Sequence, residues 1–396
     1  MSKNFITLTA TYRIVMPMFC AGADQQKAEL RLPSFKGALR FWWRSLMWGK
    51  ARDVAELRRK EAELFGSSDQ NVGQSKARMR FKGDPDLKKS VCPPEVFESG
   101  RLPGCHYLGY GVMEAFPSRN KGTKAGQLTR PMIPGGEFTV QLRLGPRISD
   151  EQRQQIENAL VLLGTVGGLG SKSRKGFGSL TLTSLKQDDH EIELKAGPIE
   201  RIKAALGALP DGEPEWTAWS QQSRVLTVFG NSKSTAVGLL DKLGREQVYF
   251  RSWGNQGRVI DRDSERNFKE DHDLSKGKNV AISHPRRLAF GLPHNYGKGD
   301  SKAVAPASRD IDRRASPLFL HVHQASEQEA PIGVVAFLPS LFLPKGEEIQ
   351  AFGKTVPLDR SDEFWNPIHG YLDRLIGKGG ATAKQTDLQA KEVKLG

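Results

Sequence analysis

Alternating apolar and threonine positions from Phe5 to Val15 predict a β-strand near the start of the chain. A helical pattern follows, in which Leu39, Trp42, Trp43 and Leu46 recur at three- and four-residue spacing. Ser34 is the expected N-cap behind Pro33, and Gly49 closes the pattern. A second helix is predicted from Asp53 to Phe65, stopped by Gly66. Ala77–Lys82 and Cys105–Val112 read as short strands, and Glu137–Leu144 alternates cleanly enough to be the clearest strand of this half. Ser149 and Gln152 stand at capping-box spacing before a helix that buries Ile156, Ala159, Leu160 and Leu163 and ends at Gly164. Phe177–Thr183 resumes as a strand. Strand, helix, strands, helix, strand is the order of a ferredoxin-like (RRM-like) βαββαβ unit.

At 396 residues the chain is long for one hydrophobic core, so two units are expected. Gln187–Ser220 is polar, is interrupted by Pro198, Pro210 and Pro214, and reads as a helix-bearing linker. A second α+β unit then shows as strands at Arg224–Phe229, Leu318–His323 and Gly333–Leu338, with helices at Thr235–Leu243 and Asn366–Ile376. Arg251–Arg314 within it is long, charged and rich in glycine and proline, which marks a functional or partner-ordered insertion. The expected organisation is α+β: a first unit over 1–186, a linker over 187–220, a second unit over 221–380 and a flexible tail over 381–396.

Charge changes this picture from a fold to a candidate binder. Lysine and arginine number 59 against 45 aspartates and glutamates, a formal charge of +14, which calls for an anionic partner such as nucleic acid, an acidic protein or a membrane surface. From Ser34 to Arg52 there are five cations and no acidic residue. On a helix Lys36, Arg40 and Arg44 fall within about 80° of one another, a stripe that repels itself unless a polyanion lies against it. Trp43 sits on the seam beside that stripe, whereas Trp42 lies inside the apolar arc. Cys20, Cys92 and Cys105 show no CxxC spacing, which points to a reducing cytoplasm and to neither a disulfide framework nor a cysteine zinc site. With no apolar signal core and no apolar run of membrane-spanning length, the expectation is a soluble cytoplasmic protein without a membrane partner.

The segment Gly164–Gly178 holds six glycines in fifteen residues, with Lys172, Arg174 and Lys175 among them. Backbone without Cβ atoms can approach a phosphate closely and offer its N–H groups, so this reads as a phosphate-contact loop. It is not a Walker A loop, because Ser171 separates Gly170 from Lys172 and the loop follows a helix. It is not a Rossmann turn either, since it does not follow a first strand.

Ser34-Phe35-Lys36-Gly37-Ala38-Leu39-Arg40-Phe41-Trp42-Trp43-Arg44, taken with the loop Gly167–Gly178, resembles the RAMP superfamily of CRISPR-associated RNA-binding proteins. Within it the paired tryptophans resemble the first-subunit branch of type III-B Cmr effector complexes, as do Phe290-Gly291-Leu292-Pro293, Arg313–Leu318 and Phe337-Leu338-Pro339. The resemblance implies two tandem ferredoxin-like domains, the second with the long insertion. It also implies a place near the guide 3′ end of a ribonucleoprotein, with CRISPR RNA or single-stranded target RNA and other Cmr-type subunits as partners. Lys36, Arg40 and Arg44 would contact phosphates, Trp43 would stack on a base or guanidinium, and Gly170, Lys172, Ser173, Arg174 and Lys175 would bind the backbone. Arg313 and Arg314 would touch RNA or a neighbouring subunit.

Some RAMP-like proteins cleave RNA with histidine and no metal, so a stand-alone endoribonuclease acting on CRISPR RNA is the alternative, and a basic scaffold for acidic subunits a third reading. His321 and His323 share one strand face but make only two ligands. His272, near Asp261, Asp263 and Asp273, lies in a segment that also holds Arg262, Arg266 and Lys269 and reads as solvated loop. His284 and His294 have no carboxylate partner in sequence, and His190-Glu191 is not followed by a second histidine. No catalytic constellation, metal site or cofactor is expected.

Overall fold

The computed structural model describes residues 5–67, 74–87, 93–118, 120, 122–230, 233–254, 256–297, 303–378, 386 and 388–395. The first unit runs β1 (Ile6–Ile14), α1 (Leu32–Ser45), α2 (Val54–Phe65), β2 (Ala77–Phe81), α3 (Glu95–Glu98), α4 (Pro103–Leu108), β3 (Gly136–Leu144), α5 (Asp150–Leu163), β4 (Leu180–Gln187), β5 (His190–Glu191) and α6 (Gly197–Leu206). The second comprises β6 (Arg224–Phe229), α7 (Ala236–Arg251), β7 (Arg258–Val259), β8 (Arg262–Asp263), α8 (Lys269–Ser275), β9 (His294–Asn295), β10 (Ala303–Pro306), β11 (Leu318–His323), β12 (Ile332–Phe337), β13 (Glu348–Ala351), β14 (Lys354–Pro357), α9 (Asn366–Leu375) and β15 (Gln389–Val393).

The first sheet has the order β2-β3-β1-β4-β5, and all its pairings are antiparallel. Its register places Leu8 opposite Leu142, Ala10 opposite Val140 and Tyr12 opposite Phe138, so the apolar alternation of both strands lands on one buried face. The second sheet, β11-β12-β6-β15, repeats the same sequence-to-space order of four strands, again antiparallel. The tail expected to be flexible thus supplies β15: its backbone completes the open edge of β6, which outweighs its polar composition. Residues 381–385, 387 and 396 of that tail lie outside the described residues.

Several expectations are corrected by packing. Helix α1 begins at Leu32 with Arg31 as N-cap, because Pro33 suits the first turn and leaves Ser34 inside the helix. Cys105–Val112 is not a strand. Pro103 opens α4, which crosses α7 so closely that a Cβ on Gly104 would lie 1.9 Å from the Asp241 carbonyl oxygen. The segment 187–220 is no linker in the sense of a tether, since α6 buries Ile202 and Ala205 and Trp219 is buried near Trp42. The insertion 251–314 is pinned internally. The Asp271 carboxylate, 1% exposed, accepts the Arg286 and Arg287 backbone N–H groups, the Arg287 guanidinium and the Tyr296 hydroxyl.

One buried ion network ties this insertion to its unit: Arg374 of α9 donates to Glu246 of α7 and to Glu265, and Arg262 reaches Glu246 from the other side. Removing one member of a buried network strands its partners' charge. Arg374→Met is therefore expected to lower unfolding free energy by about 3–5 kcal/mol. In chemical denaturation the triple variant Arg374→Met/Glu246→Gln/Glu265→Gln should recover part of that loss.

Candidate nucleic-acid interface

The basic stripe of α1 is answered from within the protein. Arg40 Nε and Arg44 Nη1 both reach Oε1 of Glu61 on α2, at 2.6 and 2.5 Å. This carboxylate relieves the repulsion that seemed to require an external polyanion. Lys36 remains half-buried, and its pKa is lowered by burial and then by the neighbouring Arg40 charge. Trp43 is 2% exposed, so no base can stack on it. Its ring meets Phe65 edge-on and its Nε1–H donates to Gln155 at 3.2 Å. The reason is rotational: the seam position faces α5 and α2, which close over it.

The glycine-rich loop joins α5 to β4 and is moulded against both units. At Gly170 φ is +82° and a Cβ would lie 2.5 Å from the Phe19 carbonyl oxygen, so the close approach admits only glycine. Lys172 adopts φ +65°, an uncommon left-handed conformation for a side-chain-bearing residue. Ser173 is half-buried and accepts the Gly176 N–H on its carbonyl at 3.3 Å. Arg174 does not face outward as a loop charge. Its guanidinium lies over the rings of Phe319 and Phe41, at 4.7 and 5.1 Å, and donates to the Ser316 carbonyl at 2.7 Å. It is a strut between units, because two aromatic faces and a carbonyl replace the water it loses.

Lys172 and Lys175 instead open onto a groove of about 1020 Å³ between the loop and the second unit. Arg251, Arg258, Arg313 and Arg314 line the same groove, and among the described residues no aspartate or glutamate does. Gly291, at φ +114°, lets the chain pair Leu292 with Arg314, which sets Arg313 at the rim. Arg314 itself is turned toward Ser340 Oγ at 2.7 Å, whereas Arg313 is exposed. Tyr110 and Phe116, 68% and 75% exposed, also border the groove. Aromatic faces beside cations, with no counter-charge, can take up bases and phosphates together.

The sequence reading missed Tyr110, Phe116, Arg251 and Arg258. Tyr110 and Phe116 sit among Gly109, Gly111 and Pro117, residues that mark turns, although the strand expected over Cys105–Val112 took in Tyr110. Those turn residues were the available signal for them. For Arg251 and Arg258 there was none, since the groove forms only when the insertion folds back.

The histidines lie elsewhere or within walls. His321 is buried with Nδ1 against the Gly167 carbonyl oxygen at 2.7 Å, and burial pushes it down to about 4. His323, 6.2 Å away ring to ring, is lowered to about 3 by burial and then by His321 and Arg201. His272 stacks on Trp253 at 4.0 Å. Among the described residues no three His, Cys, Asp or Glu side chains gather as a metal site.

Crowding of like charge shows at Lys175. Burial first, then Arg251, Lys172 and Arg174, lower its pKa to about 7. The amine is therefore charged below that pH and neutral above it, and binding of any anion beside it takes up a proton near neutrality. Side-chain NMR of lysine-labelled protein should show one amine titrating near 7, against about 10.4 for an ordinary lysine. Arg251→Gln should move that midpoint upward by removing a neighbouring cation.

Residues 11–181 match the family model of the RAMP superfamily. The chain is 26% identical over 324 residues to the CRISPR system Cmr subunit Cmr1-1 of Pyrococcus furiosus, covering 80% of this chain and 82% of that protein. The crystal structure of Cmr1 from Pyrococcus furiosus in its apo form superposes with a TM-score of 0.53 at 18% identity, covering 98% of each chain. A chain of the cryo-EM structure of the Type III-B Cmr-beta bound to cognate target RNA gives 0.50 at 12% identity, covering 93% of this chain and 98% of that one. At such identities the superpositions speak for the shared α+β fold. Residues 11–181 are thus matched by the RAMP superfamily model, and over 80% of its length the chain is similar in sequence to a Cmr1 subunit of a CRISPR system.

Proposed function

We propose that this chain is a non-catalytic, RNA-binding subunit of a type III-B (Cmr) CRISPR ribonucleoprotein. It is built from two tandem ferredoxin-like units and holds guide or target RNA near the guide 3′ end. The observation that carries the reading is the inter-unit groove, whose lining among the described residues includes Lys172, Lys175, Arg251, Arg258, Arg313 and Arg314 but no carboxylate, beside the exposed rings of Tyr110 and Phe116. A protein leaves such a surface uncompensated at a cost in self-repulsion, and a phosphate chain removes it. The equal strand order of the two sheets supports the tandem arrangement. Likeness to a Cmr subunit, and to a chain from a complex bound to target RNA, supports RNA as the anion and other Cmr-type subunits as neighbours.

Each phosphate neutralised on a single strand contributes about −0.7 to the slope of log affinity against log salt. The variant Lys172→Ala/Arg258→Ala/Arg313→Ala is expected to flatten that slope by about two units. Lys36→Ala/Arg40→Ala/Arg44→Ala should change it less, because Glu61 already engages two of those cations. An unchanged slope in the groove variant, with folding verified by circular dichroism, removes the groove from the RNA path. RNA incubated without metal is expected to stay intact, and histidine-dependent cleavage would overturn the non-catalytic reading in favour of an endoribonuclease.

A further inference from the structure

The inner end of the groove differs from its rim. There Lys175, from the glycine-rich loop, points Nζ at Gln247 Oε1 at 3.4 Å, and Arg251 stands one turn further along α7. The Arg251 guanidinium lies 4.4 Å from the Phe290 ring centroid and 3.5 Å from His294 Nε2. Two buried donors in this cluster, Arg251 Nε and Gln247 Nε2, have no acceptor among the described residues. Arg287 nearby is already matched by Asp271, so it is Lys175 and Arg251 that lack a counter-ion. The place is rich in donors and positive charge and short of acceptors. That is the inverse of a phosphate group.

We propose that this recess is a subsite for a terminal phosphomonoester of the RNA strand, held by Lys175, Arg251 and Gln247. The proposal rests on the RNA reading of the groove. An internal phosphodiester carries one charge and must continue in both directions, whereas Lys175 abuts α7: its Nζ meets the fully buried Gln247, and the next residue, Gly176, has no room for a Cβ beside Leu240. A terminal phosphate ends the chain, brings a charge of about −1.5 to −2 and offers three acceptor oxygens. The depressed ionisation of Lys175 agrees with a place that awaits an anion. The chemistry is the same whether the phosphate closes the 3′ or the 5′ end.

The test is fluorescence anisotropy with one single-stranded RNA sequence prepared with a 3′-phosphate, with a 5′-phosphate, and with hydroxyls at both ends. One phosphorylated form should bind about ten- to a hundredfold more tightly, the range for a hydrogen bond to a charged group, and the preferred form names the end. Lys175→Gln should abolish that preference, so that the three RNAs bind the variant with equal affinity. Inorganic phosphate should displace the preferred RNA from the native protein more readily than the hydroxyl-ended one, a readout independent of any variant's folding. Equal affinity for all three ends overturns the subsite and leaves the groove reading standing. Absence of binding to any of them overturns both.

Discussion

Closure of the glycine-rich loop onto the second unit is the constraint on which the rest of the structure depends. The Leu320 N–H of β11 donates to the Arg174 carbonyl at 3.0 Å, Val322 N–H reaches Ser179 Oγ at 3.2 Å, and Gln324 N–H reaches Thr181 Oγ1 at 3.1 Å. One loop carbonyl and two hydroxyls at the start of β4 therefore satisfy backbone N–H groups of the neighbouring unit's edge strand. Glycines at 167 and 170 seat the loop on its own unit, where a Cβ would lie 2.3 Å from Trp42 Nε1 and 2.5 Å from the Phe19 carbonyl oxygen, and Gly176, at φ +90°, meets α7, where a Cβ would lie 2.4 Å from Leu240 Cδ1. With the loop so held, Lys172 and Lys175 are set in the groove before any ligand arrives, which limits the ordering entropy that binding must overcome.

The same chain treats two sets of cations in opposite ways. On α1 a single carboxylate, Glu61, receives both Arg40 and Arg44, and the local charge is largely settled. In the groove the cations face one another instead, and the effect is visible where burial and neighbouring charge together depress Lys172 and Lys175. Two features that look alike in sequence, each a cluster of lysine and arginine without a nearby acid, thus differ in what the fold brings against them. Glu61 is seventeen residues beyond Arg44, and only the packing of α2 on α1 joins them.

Much of the fold was legible because its strongest elements obey local rules. The capping box of Ser149 and Gln152 forms as read, and β1 and β3 pair in the register their alternation demands. Misreadings fall where tertiary contact overrides local composition. Cys105–Val112 has strand-like residues but carries a proline-initiated helix, because Gly104 must approach α7. The polar tail becomes β15 because an unpaired edge of β6 was available. At the candidate site, Lys172, Lys175 and Arg313 line the groove, whereas Trp43 is core and Arg174 a strut. A helical wheel locates a seam but cannot say which helix will cover it.

The groove belongs to neither unit alone. The segment matched by the RAMP superfamily, 11–181, contains Lys172, Lys175, Tyr110 and Phe116, while Arg251, Arg258, Arg313 and Arg314 come from beyond it. Each unit buries one face of its sheet under its helices, and the groove opens where the two meet. Setting one unit's loop against the other's insertion creates the concavity and concentrates the charge in it. The repetition of a simple topology therefore matters less for the two sheets than for the seam between them. There, residues from distant parts of the chain meet with no carboxylate among the described lining residues to neutralise them, and the insertion supplies the far wall.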